Sequence, residues 1–552
     1  MPARQRIAPW KKRTLIVAFA ALTIGSAVTA TSSAGDPDRP LVPTTSGPVV
    51  GERAGAVERY QGIPYAAPPT GDLRWASPRE PRPWTSPREA AQPGPACPQL
   101  GNEGPLAGTS EDCLSLNVTT PRARPGAGKP VMVWLHGGSN TGGTSSQTDP
   151  ARMADRGDVV VVTVNYRLGM LGFFSHPGLE GSGTFALQDQ QAALRWVQRN
   201  AVFFGGDPGK VTLFGESAGG IDTCAQLTSP AARGLFGKVI LQSGSCSTEI
   251  AAYHDGSQVV LDRGDFWSPV EQMRKVGGEV AAERGCATED PVDCLRGQPA
   301  DELVGAYDQV FGIASGTPTL PMPPDEALAE GRFHRVPVLS GTTRDESRLV
   351  TDVIGATSGP ITQERLDEVI DRTFGEHAGR VRETYPVAEH GNDPRLAFAA
   401  MDTDRTFACT QLASGRALAR HVPTYGYEFA DRGAPTYSPF LTDLPAGAAH
   451  ASELAYLFDL ELGPWGPGFQ QVELTGQQRA LGDTMIDAWT TFAGTGRLDW
   501  APLRPDSATA PVRSFAPEAE ANAPMDAWAA HHCDLWSGLP GGAGQPGAHS
   551  VR

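Results

Sequence analysis

The chain has 552 residues, enough for one very large domain or several small ones. With 40% hydrophobic and 20% charged residues it can build a packed core, which excludes global disorder. A formal net charge of −16 argues against a nucleic-acid partner, which would need basic patches, and suits a protein kept soluble by its charge.

The N-terminus reads as an export signal. Arg4, Arg6, Lys11, Lys12 and Arg13 come without an acid, and residues 15–30 are mostly apolar and small. Val28-x-Ala30 or Ser32-x-Ala34 would suit cleavage. The run is short for a membrane span and holds Gly25 and Ser26. The expectation is a secretory signal over 1–34, a secreted protein, and no stable membrane insertion after cleavage. Residues 35–540 are expected to form a single domain and 541–552 a disordered tail.

Residues 49–78 are rich in turn formers. From there the pattern becomes strand, loop, helix. Residues 131–135 (VMVWL) and 159–164 are continuous apolar runs, as in strands buried on both faces. Residues 186–200 have helical spacing, with Leu187, Ala193, Leu194 and Val197 on one face. A strand at 210–214 leads into a helix at 218–227, and 239–241 is the next strand. Residues 250–330 and 350–420 lack obvious sheet strands and read as partly helical insertions. Residues 336–340 and 425–429 restore strand character. Residues 477–493 form a late amphipathic helix, with Leu481, Met485, Trp489 and Phe492 on one side. This alternation predicts an α/β fold: a mostly parallel central sheet flanked by helices, with insertions above it.

The eight cysteines follow the signal, and an even count in an exported chain favours disulfides. Spacing suggests Cys97–Cys113, Cys224–Cys246 and Cys286–Cys294, leaving Cys409–Cys533. No C-x-x-C spacing points to zinc or a redox motif, and no metal site is expected.

Gly215-Glu216-Ser217-Ala218-Gly219 lies between a strand and a helix. A serine on such a sharp turn projects its hydroxyl into a cleft. Serine is a weak nucleophile and needs a base, an orienting acid and donors for an oxyanion. Donors are expected from His136-Gly137-Gly138-Ser139, directly after a buried strand, and from the backbone of Ala218. Gly138, Ser139 and Ala218 are the candidate oxyanion hole. Among the eleven histidines, His450 sits in a loop after a late strand and is the candidate base. His421 precedes that strand, and His531 and His532 flank a presumed disulfide. The acid should follow a strand between serine and histidine; Asp345 and Glu346 both satisfy the spacing. No metal or organic cofactor is needed for this chemistry.

Together with Tyr60-Gln61-Gly62-Ile63-Pro64-Tyr65, Glu111-Asp112-Cys113-Leu114, Asn165-Tyr166-Arg167-Leu168-Gly169 and Phe204-Gly205-Gly206-Asp207-Pro208, the chain resembles the type-B carboxylesterase family, cholinesterase-like α/β-hydrolases. The resemblance runs from about residue 49 to 540. It implies an α/β-hydrolase fold and a serine carboxylesterase acting on small-molecule esters through an acyl-serine. It implies Ser217 as nucleophile, Glu346 as acid and His450 as base. It supports Cys97–Cys113, Cys286–Cys294 and Cys409–Cys533, while Cys224–Cys246 rests on parity. A lipase, an amide or carbamate hydrolase, and a non-catalytic binding module of the same fold are the alternatives. The sequence departs from the family pattern in three places. Ser347 stands where a glycine usually follows the acid. Asn140 replaces an aromatic after the oxyanion glycines. The 97–113 loop holds no aromatic ring to attract a quaternary ammonium, which disfavours choline esters. Asn117-Val118-Thr119 matches a glycosylation sequon but falls in a strand-like segment, so it is expected to be unused.

Overall fold

The apolar runs of the sequence become the interior of an eleven-stranded sheet. In chain order its strands are β1 (Glu52–Ala54), β2 (Val57–Pro64), β3 (Ser115–Pro121), β4 (Lys129–Leu135), β5 (Val160–Val164), β6 (Gly206–Glu216), β7 (Lys238–Gln242), β8 (Val338–Thr343), β9 (Thr424–Phe429), β10 (Pro511–Phe515) and β11 (Pro524–Asp526). The helices that matter below are α1 (Ala151–Gly157), α2 (Phe185–Asn200), α3 (Ala218–Thr228), α4 (Ser347–Ser358), α5 (Pro394–Asp402), α6 (Cys409–Ala419), α7 (Gly476–Thr495) and α8 (Cys533–Ser537). This computed structural model describes residues 39–101, 104–122, 125–248, 253–254, 259–261, 266–305, 312–435, 444–460, 472–518 and 523–539. The expected signal and tail lie outside the described residues, which belong to one compact unit, Arg39–Arg552.

The strand order is β11-β10-β9-β8-β7-β6-β4-β5-β3-β2-β1. Pairing is parallel from β10 through β5 and antiparallel at both edges. Successive side chains on a strand point to opposite faces, so each apolar run feeds two cores. Val131, Val133, Leu135, Val162, Leu213, Val239 and Leu241 pack with Leu187, Leu194 and Val197 of α2 and Ile221 and Cys224 of α3. Met132, Trp134, Val161, Phe214, Ile240 and Leu339 face the other way, onto Met153 and Ala154 of α1 and Leu481, Met485, Trp489 and Phe492 of α7. Both helical faces expected from spacing are therefore core faces. Helix α7 starts at a reciprocal cap, Thr475 with Gln478, and stops at Gly496 with φ 68°.

Two details differ from the sequence expectation. The turn-rich stretch contains β2, an eight-residue strand. Its pairing with β3 shifts between Tyr60 and Ile63, around Gly62 at φ 65°, and this bulge breaks the two-residue alternation that would have marked it. The 250–330 insertion also contains short strand pairs, Trp267–Pro269 with Ile313–Ser315 and Tyr253–His254 with Val259–Leu261, too short to show a period. The 350–420 segment is helical and packs Leu366, Ile370, Phe398 and Met401 into a core that it shares with Val512, Trp528, Leu535 and Trp536 of the C-terminal segment. Among the described residues no helix is long and apolar enough to cross a membrane.

Candidate active site

Strand β6 ends at Glu216 and α3 begins at Ala218, leaving Ser217 to make the whole turn at φ 55°, ψ −124°. A non-glycine residue held there is strained, and its surroundings must hold it in place. Ser217 N donates to Gln242 O at 2.9 Å, and Ile221 N donates to Ser217 O at 3.0 Å. Two glycines let the turn close. A side chain on Gly219 would collide with the carbonyl oxygen of Leu135 at the end of β4, and one on Gly215 with the carbonyl oxygen of Gly219.

The loop after β4 lies beside this elbow: a Cβ on Gly137 would sit 3.1 Å from Ser217 Cβ. Its backbone is left-handed at three consecutive residues, Gly138 (φ 107°), Ser139 (φ 54°) and Asn140 (φ 59°). Gly138 O accepts from Thr141 N and Gly142 N, and Asn140 O accepts from Gly169 N at 2.7 Å. His136 is buried, and its ring stacks on Tyr166 with centroids 4.4 Å apart. Burial pushes its imidazole down to about 4, against a weaker pull from the Gly137 carbonyl, so His136 is a neutral packing group.

His450 lies in the loop beyond β9. Its Nδ1 is 2.6 Å from Glu346 Oε2, and its Nε2 is 3.2 Å from Oε1 of Glu216, the residue before Ser217. Glu346 is fully buried at the end of β8, where its Oε1 accepts from Thr343 N at 2.8 Å. Its carbonyl accepts from His450 N at 3.2 Å, so the two loops are joined through backbone and side chain alike. Spacing left two acids open; the structure turns Glu346 toward His450 and Asp345 away. Asp345 takes both forks of Arg432, pairs with Arg348 and accepts from Ala448 N. Ser347 needs no glycine: it opens α4 with its N–H on Thr403 Oγ1 at 3.0 Å, and its φ is not positive.

Sequence reasoning missed two carboxylates here. Glu216 and Glu453 are both buried, and Glu453 Oε1 accepts from Gln242 Nε2, whose own Oε1 accepts from Trp489 Nε1. Burial pushes Glu216 and Glu453 above the usual carboxylate range, and Glu346 adds to the push. Burial would lower His450, but the charges of Glu216 and Glu346 outweigh it and carry the imidazole to about 9. The signals were present: Glu216 sits inside the serine motif, and Glu453 follows His450 by three residues.

The other candidates fall elsewhere. His421 is exposed, against the ring of Phe333. His531 is buried between Asp404 and Glu428. Asn117 is buried with its amide donating to Ser145 and Thr163, which leaves no room for a glycan. The cysteines pair as Cys97–Cys113, Cys224–Cys246, Cys286–Cys294 and Cys409–Cys533, with Cα separations of 5.1, 5.4, 5.6 and 5.3 Å.

A family model described as the carboxylesterase family matches residues 38–522. Para-nitrobenzyl esterase of Bacillus subtilis (strain 168) is 34% identical over 478 residues, covering 83% of this chain and 90% of that protein. Acylcarnitine hydrolase of Mus musculus is 34% identical, over 80% of this chain and 79% of its own. Fumonisin B1 esterase of Sphingopyxis macrogoltabida is 32% identical, over 83% and 82%. Among solved structures, a PNB esterase superposes with a TM-score of 0.68 at 32% identity, covering 87% of this chain and 96% of that one.

Proposed function

Since the chain belongs to the carboxylesterase family, and is a carboxylic-ester hydrolase with the α/β-hydrolase fold, we propose that it is a secreted esterase working through an acyl-Ser217 intermediate. His450 takes the Ser217 proton as the hydroxyl oxygen attacks the ester carbonyl. Glu346 holds the proton on Nδ1, keeps Nε2 turned toward the elbow and stabilises the imidazolium. The backbone N–H groups of Gly138, Ser139 and Ala218 receive the developing oxyanion. His450 then protonates the leaving alcohol. Water, deprotonated by the same imidazole, attacks the acyl carbon and frees acid and serine. The substrate class is a small carboxylic ester, and the residues named supply every proton and charge the cycle needs.

One observation carries this reading: the His450 ring is held at 2.6 Å by Glu346 on one side and reaches the residue before Ser217 on the other. Secretion is supported by the basic-then-apolar N-terminus and by four paired cysteines. The test is hydrolysis of para-nitrobenzyl and para-nitrophenyl esters by enzyme recovered from culture medium, starting within or just after residues 28–35. Ser217→Ala should lower kcat by roughly 10⁴-fold or more and abolish labelling by a fluorophosphonate. A Ser217→Ala protein as fast as wild type would sink the acyl-serine route. Full-length protein retained in cells would sink the secretion reading.

A further inference from the structure

Helix α3 carries a carboxylate that the proposed cycle does not use. Asp222 is fully buried, one turn past Ser217, and both of its named partners are neutral amides. Asn140 Nδ2 donates to Oδ1 at 3.2 Å, and Gln190 Nε2, from α2, donates to Oδ2 at 2.5 Å. The direction of these bonds is fixed from behind. Gln226 Nε2 donates to the backbone carbonyl of Leu187 at 3.0 Å and to Gln190 Oε1 at 2.9 Å. Gln190 Oε1 is thereby an acceptor, and its Nε2 faces Asp222 as a donor. Two donors thus converge on one side chain, which an acceptor-only carboxylate satisfies and an amide does not. Burial pushes the Asp222 carboxyl up to about 7, against the pull of Gln190 and Asn140. So costly a group needs a reason to be there.

The reason lies at Asn140, the third left-handed residue in a row of the loop beside Ser217. Asn140 is 2% exposed, and its Oδ1 has no hydrogen-bond partner among the described residues. Asp222 therefore holds its side chain. The two ends of this bond sit on the two halves of the proposed oxyanion hole. Asn140 follows Gly138 and Ser139 directly, and Asp222 is on the helix whose first N–H is that of Ala218.

We propose that Asp222 is a positioning residue that staples the oxyanion loop to the nucleophile helix through Asn140, setting the spacing between the loop donors and the Ala218 donor. This rests on the oxyanion-hole assignment above. Its consequence is a loss in the transition state with little effect on ground-state binding, because the donors must match the oxyanion and not the planar ester.

Two variants test it in the intact enzyme. Asn140→Gly keeps a residue that tolerates φ 59° while removing the anchor, so the loop is freed without added backbone strain. Asp222→Asn replaces one acceptor with a donor. Each should lower kcat by about 10- to 100-fold on para-nitrophenyl acetate, with KM within about 3-fold. Binding of a trifluoromethyl ketone, which forms a tetrahedral adduct, should weaken by about the same factor as kcat/KM falls. The double variant should be no slower than the worse single one, as expected for two ends of one bond. Variants with wild-type kcat, or losses that multiply in the double variant, would overturn the proposal. Ser217→Ala run alongside separates the failures. If it is inactive while both variants are fast, the serine cycle stands and the staple falls; if it is fast, the cycle itself falls.

Discussion

At the residue scale the site is a problem of charge. Three buried carboxylates, Glu216, Glu346 and Glu453, surround His450, whose side chain keeps 13% of its surface exposed. A base must be neutral to accept a proton, yet Glu216 and Glu346 hold this imidazole charged up to about 9. The active fraction therefore grows as pH rises, and kcat/KM should climb along an acid limb that extends well above neutrality. Glu216→Gln removes one negative charge at 3.2 Å from Nε2. The imidazolium then loses stabilisation, its pKa falls, and the limb should move to lower pH. A pH–rate profile of both enzymes reads this directly; a limb that stays put or moves upward would show that Glu216 does not act on the base. The limb belongs to the coupled group rather than to His450 alone, so Glu453→Gln should shift it in the same sense, by less.

Elements show what could be read from the chain and what could not. Strands β4 to β7 were legible because a strand buried on both faces must be apolar throughout, and α2 and α7 because each turns a single apolar face to the sheet. The elbow was legible because steric closure demands glycine at 215 and 219. β2 was hidden by its bulge. Spacing could not choose between Asp345 and Glu346, because adjacent residues at a strand end leave in different directions and only packing shows which meets His450. Asp222 and Asn140 were invisible as a pair, being 82 residues apart in sequence. A second long-range cluster was equally hidden. His531 lies between Asp404 at 2.6 Å and Glu428 at 2.5 Å, joining the π-helical stretch Thr403–Ala408 before α6, the strand β9 and the C-terminal segment. Burial disfavours its charge, but Asp404 and Glu428 reverse that and raise it to about 10. A raised value stabilises the fold fully below the unfolded imidazole's ~6.5 and less as pH climbs through about 10. His531→Gln removes the cation between the two carboxylates, leaves Glu428 its pair with Arg344 at 3.1 Å and Asp404 its contact with His532 at 3.1 Å, and should cost about 1.5–3 kcal/mol at pH 7. Thermal melts from pH 6 to 10 should fall for the wild type and stay flatter for the variant; parallel curves would mean that His531 is not charged in the fold.

Across the whole molecule, the same C-terminal segment is tied back by chemistry of a different kind. Cys409 at the start of α6 meets Cys533 at the start of α8 across 124 residues, and Trp536 of α8 donates to Tyr385, which donates to Asp404. Between the two cysteines run β9, the His450 loop and α7, so this one link encloses the proposed base together with the helix that covers one face of the sheet. Cys286–Cys294 closes only 8 residues inside an insertion. A crosslink chiefly restricts the unfolded chain, by an amount that grows with the logarithm of the loop it closes, roughly 5 kcal/mol for the long loop against roughly 2.5 for the short one. Replacing Cys409 and Cys533 together by serine should therefore lower the guanidinium midpoint by about twice as much as replacing Cys286 and Cys294. The loss should appear in activity at a lower denaturant concentration as well, since the enclosed stretch carries His450. Equal shifts for the two pairs would mean that the C-terminal segment is held by its packing and by His531, with the disulfide adding nothing that depends on the size of its loop.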